Sequence, residues 1–134
     1  MEIIAITSKI AALLAIQMFI LTMMVSMRRV ELGKEHGDIA KFPYQDGGDE
    51  KLKRRIRAFG NFIEYTPMSI VMLGLLEVNG GSSTLIWALG GVFVAGRILH
   101  AIGMLTNPHF PLPRIIGMFA TYAILVVPAI WLFL

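Results

Sequence analysis

The chain has 134 residues, 56% of them hydrophobic and only 16% charged, with a formal net charge of +3 and a pI near 9.5. That is too apolar for a soluble domain of this length, and the lack of cysteine excludes a disulfide framework, a cysteine metal site and a protein thiol nucleophile. Nucleic acid is not the expected partner, because the cations stand beside long apolar runs, where a membrane surface accounts for them.

Four apolar runs, residues 3–27, 58–78, 85–105 and 115–134, each approach the roughly 20 residues that an α-helix needs to cross the hydrocarbon core. The expected fold is all-α: an integral membrane four-helix bundle forming a single domain over residues 1–134, with helices at about 3–27, 51–79, 83–105 and 114–133. The first run is followed, not preceded, by Arg28 and Arg29, which marks a retained span and not a secretory signal. Lys9 near its start can snorkel to the interface. Residues 30–50 turn abruptly polar, with Gly33, Gly37, Pro43, Gly47 and Gly48 among charges of both signs. They read as a loop outside the bilayer holding at most a helical turn near 31–36, and serve as a plain connector or as a lid. The acidic stretch at 46–50 lacks the spacing of a calcium loop, so no metal is assigned.

The second span begins with a block of cations and carries Arg57, Asn61 and Glu64. At i, i+4 and i+7 these fall on one helical stripe, and a carboxylate inside an apolar segment needs a partner or a ligand. Pro67 removes one backbone donor and leaves the Ile63 carbonyl without its usual partner, so a kink is expected near Glu64. The sequence from Gly80 to Ser83 is a tight turn whose serines can cap the third helix. There Gly90, Gly91, Ala95 and Gly96 would let a neighbouring backbone approach closely. Arg97 and His100 interrupt the same run, and at about 1.5 Å per residue Arg97 lies roughly 12 Å deep and Glu64 about 9 Å, close enough to pair. Pro108, Pro111 and Pro113 are expected to keep residues 106–113 out of a helix, with the fourth span opening near Arg114 and containing Tyr122 and Pro128. Nine of the twelve Lys and Arg lie between Arg28 and Arg57. In a bacterial inner membrane this bias places the long loop in the cytoplasm and both termini in the periplasm.

Several arginines with a single deep acid suit a carboxylate-bearing ligand that also carries one ammonium group, because guanidinium forks match carboxylates and a buried glutamate favours a cation. The bland readings are that Arg28, Arg29 and the block at 51–55 only fix topology, that Glu64 and Arg97 form a structural ion pair, that His100 is a packing residue, and that Tyr65 and Tyr122 are interface anchors.

Residues 57–67 read R-A-F-G-N-F-I-E-Y-T-P and meet every fixed position of R-A-x-x-N-x-x-E-Y-x-P. That run resembles the second-helix signature of the MAPEG family, the membrane-associated proteins of eicosanoid and glutathione metabolism. Arg28-Arg29 is similar to the paired cations that close the family's first helix, Arg97-x-x-His100 to the R-x-x-H or R-x-x-Y of the third, and Arg114 to the arginine that opens the fourth. Met104 stands where some members carry tyrosine, and Phe59 where some carry a polar residue. The resemblance implies a homotrimer with glutathione bound between neighbouring subunits near the cytoplasmic face. Arg57, Asn61, Glu64 and Tyr65 would hold the tripeptide, joined by Arg28, Arg97 and His100, and Arg114 would face the sulfur as the catalytic residue. A hydrophobic electrophile would reach it from the lipid side. The implied activity is a glutathione-dependent membrane transferase or peroxidase; the alternatives are a non-catalytic lipid-binding scaffold of the same fold and a small transporter subunit using Glu64 as a proton site.

Overall fold

The computed structural model describes residues 4–37, 46–106 and 111–134. Four helices account for nearly all of them: α1 (Ala5–His36), α2 (Glu50–Val78), α3 (Ser83–Leu105) and α4 (Leu112–Phe133). All four are long and apolar enough to cross a membrane. The expected all-α four-helix arrangement is what forms.

The buried residues of α1 include Thr7, Ile10, Leu14, Leu21, Val25 and Leu32, recurring at intervals of three, four and seven. That spacing gives a narrow seam with apolar side chains on every other face. Phe19 is 64% and Ile16 59% exposed, an arrangement suited to lipid and not to water. The helix does not stop at Met27 as expected but continues through the polar stretch to His36 and is capped by Gly37 in a left-handed conformation at φ 70°. A helix that leaves the hydrocarbon need not end there. Here Arg28 stabilises the extension by reaching Glu31 at 3.0 Å and Glu35 at 3.4 Å, one and two turns on. The stretch 30–50, read as a connector or a lid, is helical up to His36 and again from Glu50, and its residues 38–45 lie outside the described residues.

Asp49 caps α2 by accepting from the Leu52 amide at 2.6 Å, and it also accepts from Arg28 Nη2 at 2.7 Å. This one carboxylate ties the outer end of α1 to the start of α2. The Arg28 guanidinium, followed by the Leu52 N–H, holds the Asp49 carboxyl below the usual aspartate range against the opposing effect of its desolvation. α2 runs on through Pro67. At its far end Glu77 reaches across to the start of α1, accepting from the amides of Ile6 at 2.9 Å and Thr7 at 2.8 Å. The first amides of a helix have no partner of their own and carry its positive dipole end, so the acid fills a need the local sequence leaves open. Ser82 caps α3 through the Leu85 amide, as its position after the glycine turn suggested.

α4 starts at Leu112 and not at Arg114, with Pro113 inside its first turn, where a missing N–H is harmless. α2 and α3 form the central pair, α1 packs on both, and α4 packs on both from elsewhere around them; among the described residues α1 and α4 do not meet. Phe62, Leu73, Phe93 and Ile124 fill the core with Ile10 and Leu14. α3 and α4 come together at glycines. A Cβ on Gly96 would lie 2.3 Å from that of Ala120, and one on Gly117 would lie 2.5 Å from the Gly96 carbonyl oxygen. No side chain fits at either point. Gly91 and Ala95 of the expected small-residue set instead face outward.

Candidate functional site

On α2, Arg57, Gly60, Asn61 and Glu64 follow one another at helical spacing, so they share a face. On α4, Arg114, Met118 and Tyr122 do the same, with Ile115 and Phe119 beside them. His100 and Met104 of α3 stand one turn apart between the two stripes. Together these residues line a cleft of about 810 Å³. The cleft is open, and Arg57, Glu64 and Arg114 are exposed in it. One wall is polar and the other is largely apolar, which suits a ligand with a charged body and a reacting partner that prefers lipid.

Gly103 sets the reach of Arg114. A Cβ there would come within 2.7 Å of Arg114 Cγ and 3.0 Å of its backbone nitrogen, so only a glycine lets the start of α4 seat this close to α3. Gly117 does the same beneath His100, whose Cβ would be 2.5 Å from an added one.

Arg97 is not a wall of the cleft. It is 1% exposed, stacks its guanidinium over Phe62 at 5.5 Å and donates from Nη2 to Asn61 Oδ1 at 2.8 Å. That bond turns the Asn61 oxygen toward Arg97 and leaves the two Nδ2 hydrogens without a partner among the described residues. The expected pairing of Arg97 with Glu64 does not form: the guanidinium goes to Asn61, and Glu64 takes no ion pair among the described residues. Among the described residues, Arg97 Nε and Nη1 and His100 Nδ1 are buried with no hydrogen-bond partner.

Five of the sequence-derived site residues therefore meet in one place, namely Arg57, Asn61, Glu64, His100 and Arg114, with Arg97 behind them. Tyr65 and Arg28 do not line the cleft. Arg28 is drawn away by Asp49, Glu31 and Glu35, which leave it only 15% exposed. Sequence reasoning left out Gly60, Met118 and Phe119. The signal for Met118 was its place at i+4 between Arg114 and Tyr122. No group of three or more metal-type ligands occurs among the described residues.

The family model of the MAPEG family matches residues 7–134. The chain is 34% identical over 94 residues to Inner membrane protein YecN of Escherichia coli K12, an alignment spanning 70% of this chain and 69% of that protein, and equally to the YecN of E. coli O6:H1 strain CFT073. No solved structure matches it significantly. With that match reaching into all four helices, and with the second-helix motif forming one wall of the cleft, the chain belongs to the MAPEG family.

Proposed function

We propose that this protein is a glutathione-dependent membrane transferase or peroxidase that acts on a hydrophobic electrophile. The observation that carries the reading is the gathering of Arg57, Asn61 and Glu64 from α2 and Arg114 from α4 around one cleft whose remaining wall is apolar. The donor set fits the tripeptide by charge. Arg57 offers a fork for a carboxylate, Glu64 accepts from an ammonium group, and Asn61 donates an amide hydrogen to a carbonyl. Glutathione supplies a thiol, whose sulfur displaces a leaving group from the electrophile as the thiol proton passes to solvent.

Arg114 is the residue that prepares this step. A guanidinium fixed at the mouth of α4 favours a thiolate over a thiol and raises the nucleophile's population at neutral pH. Ile115, Met118 and Phe119 present the lipid-side wall against which an apolar acceptor would rest. Arg28 is left out of the ligand set of its own chain's cleft, because three carboxylates already surround it.

The cleft is open on its outer side, and a homotrimer in the inner membrane, the membrane named for the YecN relatives, would close it with a neighbouring copy. Detergent-solubilised full-length protein, titrated with glutathione and then given an electrophilic aromatic acceptor, tests the reading. Binding with growth of thiolate absorbance and product formation is the expected result; neither binding nor turnover removes it. The exposed apolar residues Phe119 and Tyr122 at the cleft favour a second reading, a lipid-presenting scaffold. That reading is supported instead if a lipid copurifies in the cleft and no thiolate forms.

A further inference from the structure

A smaller pocket of about 340 Å³ opens at the cation-rich end of the bundle, apart from the cleft, where α1, α2 and α3 converge. Its lining is Met24, Glu50, Lys51, Arg54, Arg55 and Leu105. Met24 lies near the end of the first apolar run and Leu105 is the last residue of α3, so the pocket sits at the level where hydrocarbon gives way to headgroups. Arg55 Nη1 donates to the Met24 carbonyl at 2.6 Å, and Arg54 Nη1 to the Thr106 carbonyl at 3.2 Å. Each guanidinium is thereby anchored by one nitrogen on a neutral acceptor.

Neither takes a carboxylate among the described residues, and Lys51 has no ion pair there either. Glu50, the acid of the rim, reaches Lys53 at 3.6 Å. Arg28 on the neighbouring helix shows the contrast, since its charge is answered three times over. Three cations that form no close ion pair among the described residues, though Lys51 and Arg55 lie in the field of Glu31 and Lys51 in that of Asp49, stand around a floor of methionine and leucine at headgroup depth and describe a site for an anion that carries its own hydrocarbon.

We infer that this pocket binds the headgroup of an anionic glycerophospholipid. The phosphodiester would lie against Arg54, Arg55 and Lys51, the glycerol hydroxyls within reach of Glu50, and the first methylenes on Met24 and Leu105. Electrostatic attraction at a membrane surface amounts to roughly a fivefold gain in affinity for each cation. The site is independent of the cleft and of whatever reaction the cleft performs.

The test uses the full chain in zwitterionic detergent with three probes: phosphatidylglycerol, phosphatidylcholine of the same acyl chains, and inorganic phosphate. Intact-protein mass spectrometry reads the lipid retained. Phosphatidylglycerol is expected to bind about tenfold or more tightly than phosphatidylcholine. Lys51→Gln, an exposed change, should weaken it about fivefold, the pair Arg54→Gln/Arg55→Gln about 25-fold, and Lys9→Gln at the opposite end of the bundle not at all. Equal binding of the two lipids, an undiminished preference in Lys51→Gln, or displacement of the lipid by equimolar inorganic phosphate overturns the inference, the last by showing a site for a soluble anion. Should the double arginine variant not fold, Lys51→Gln and the phosphate arm still decide.

Discussion

α2 carries one acid at its middle and another near its C-terminal end, and the structure uses the two in opposite ways. Glu77 commits one oxygen to the amide of Ile6 and the other to that of Thr7, closing the start of α1. Glu64 is exposed in the cleft and takes neither a hydrogen bond nor an ion pair among the described residues. The same division holds among the arginines: Arg28 is surrounded by Asp49, Glu31 and Glu35, whereas Arg57 and Arg114 face open space. A charge whose partners are all within the chain holds the fold together. One left without them is available to a ligand, and that distinction separates two sets of residues which composition alone treats alike.

The sharpest way to break this division is Arg114→Ala. Loss of one charge-stabilising donor at a reacting atom is worth about 10²- to 10³-fold in turnover, so kcat of glutathione conjugation should fall by that order while glutathione affinity changes little. An equal loss in affinity would make Arg114 a binding residue and not a catalytic one. Next comes Glu64→Gln, which should weaken glutathione by about 10- to 100-fold, the range for hydrogen bonds to charged groups, and leave the thermal midpoint of the unliganded protein where it was. Calorimetric titration and thermal melting of the same preparation give both numbers.

Glu77→Ala should do the reverse. Removing a helix-capping carboxylate costs about 1 kcal/mol, so the melting point falls and glutathione affinity does not. If Glu64→Gln destabilises and Glu77→Ala weakens the ligand, the two acids have been assigned the wrong way round. The smallest effect is one of pH. Arg28 depresses the Asp49 pKa below its ordinary value of 3.8, so their pairing contributes stability that is complete above that value and is lost as the pH falls through the lower folded one. Melting followed by circular dichroism on the acid side should show that loss in the wild type and a flatter dependence in Asp49→Asn.

Much of this was readable from sequence where the controlling geometry is one-dimensional. The stripe of Arg57, Asn61 and Glu64 follows from spacing on a single helix, and all three do share one cleft. The Arg97 partner did not follow, because depth along the membrane normal matches Glu64 with Arg97 but says nothing of azimuth. Around α2 it is Asn61 that faces Arg97, and Glu64 is turned into the opening. The capping by Glu77 was hidden for a related reason: its partners lie 70 and 71 residues away on another helix. Arg28 enters the expected ligand set only through the resemblance; within its own chain it pairs with Asp49, Glu31 and Glu35. The change from apolar to polar residues after Met27 marks the exit from hydrocarbon, which is not the same event as the end of the helix at His36.

Among the described residues α1 does not meet α4, and it is clasped at its start by Glu77 and toward its finish by the Arg28–Asp49 pair, with a slim seam of aliphatic side chains between. A rod fastened in that manner detaches from a tip and not from its middle. Deuterium uptake along its amides should therefore advance inward from whichever fastening is weaker, and the order of labelling would rank the two clasps without any residue being changed.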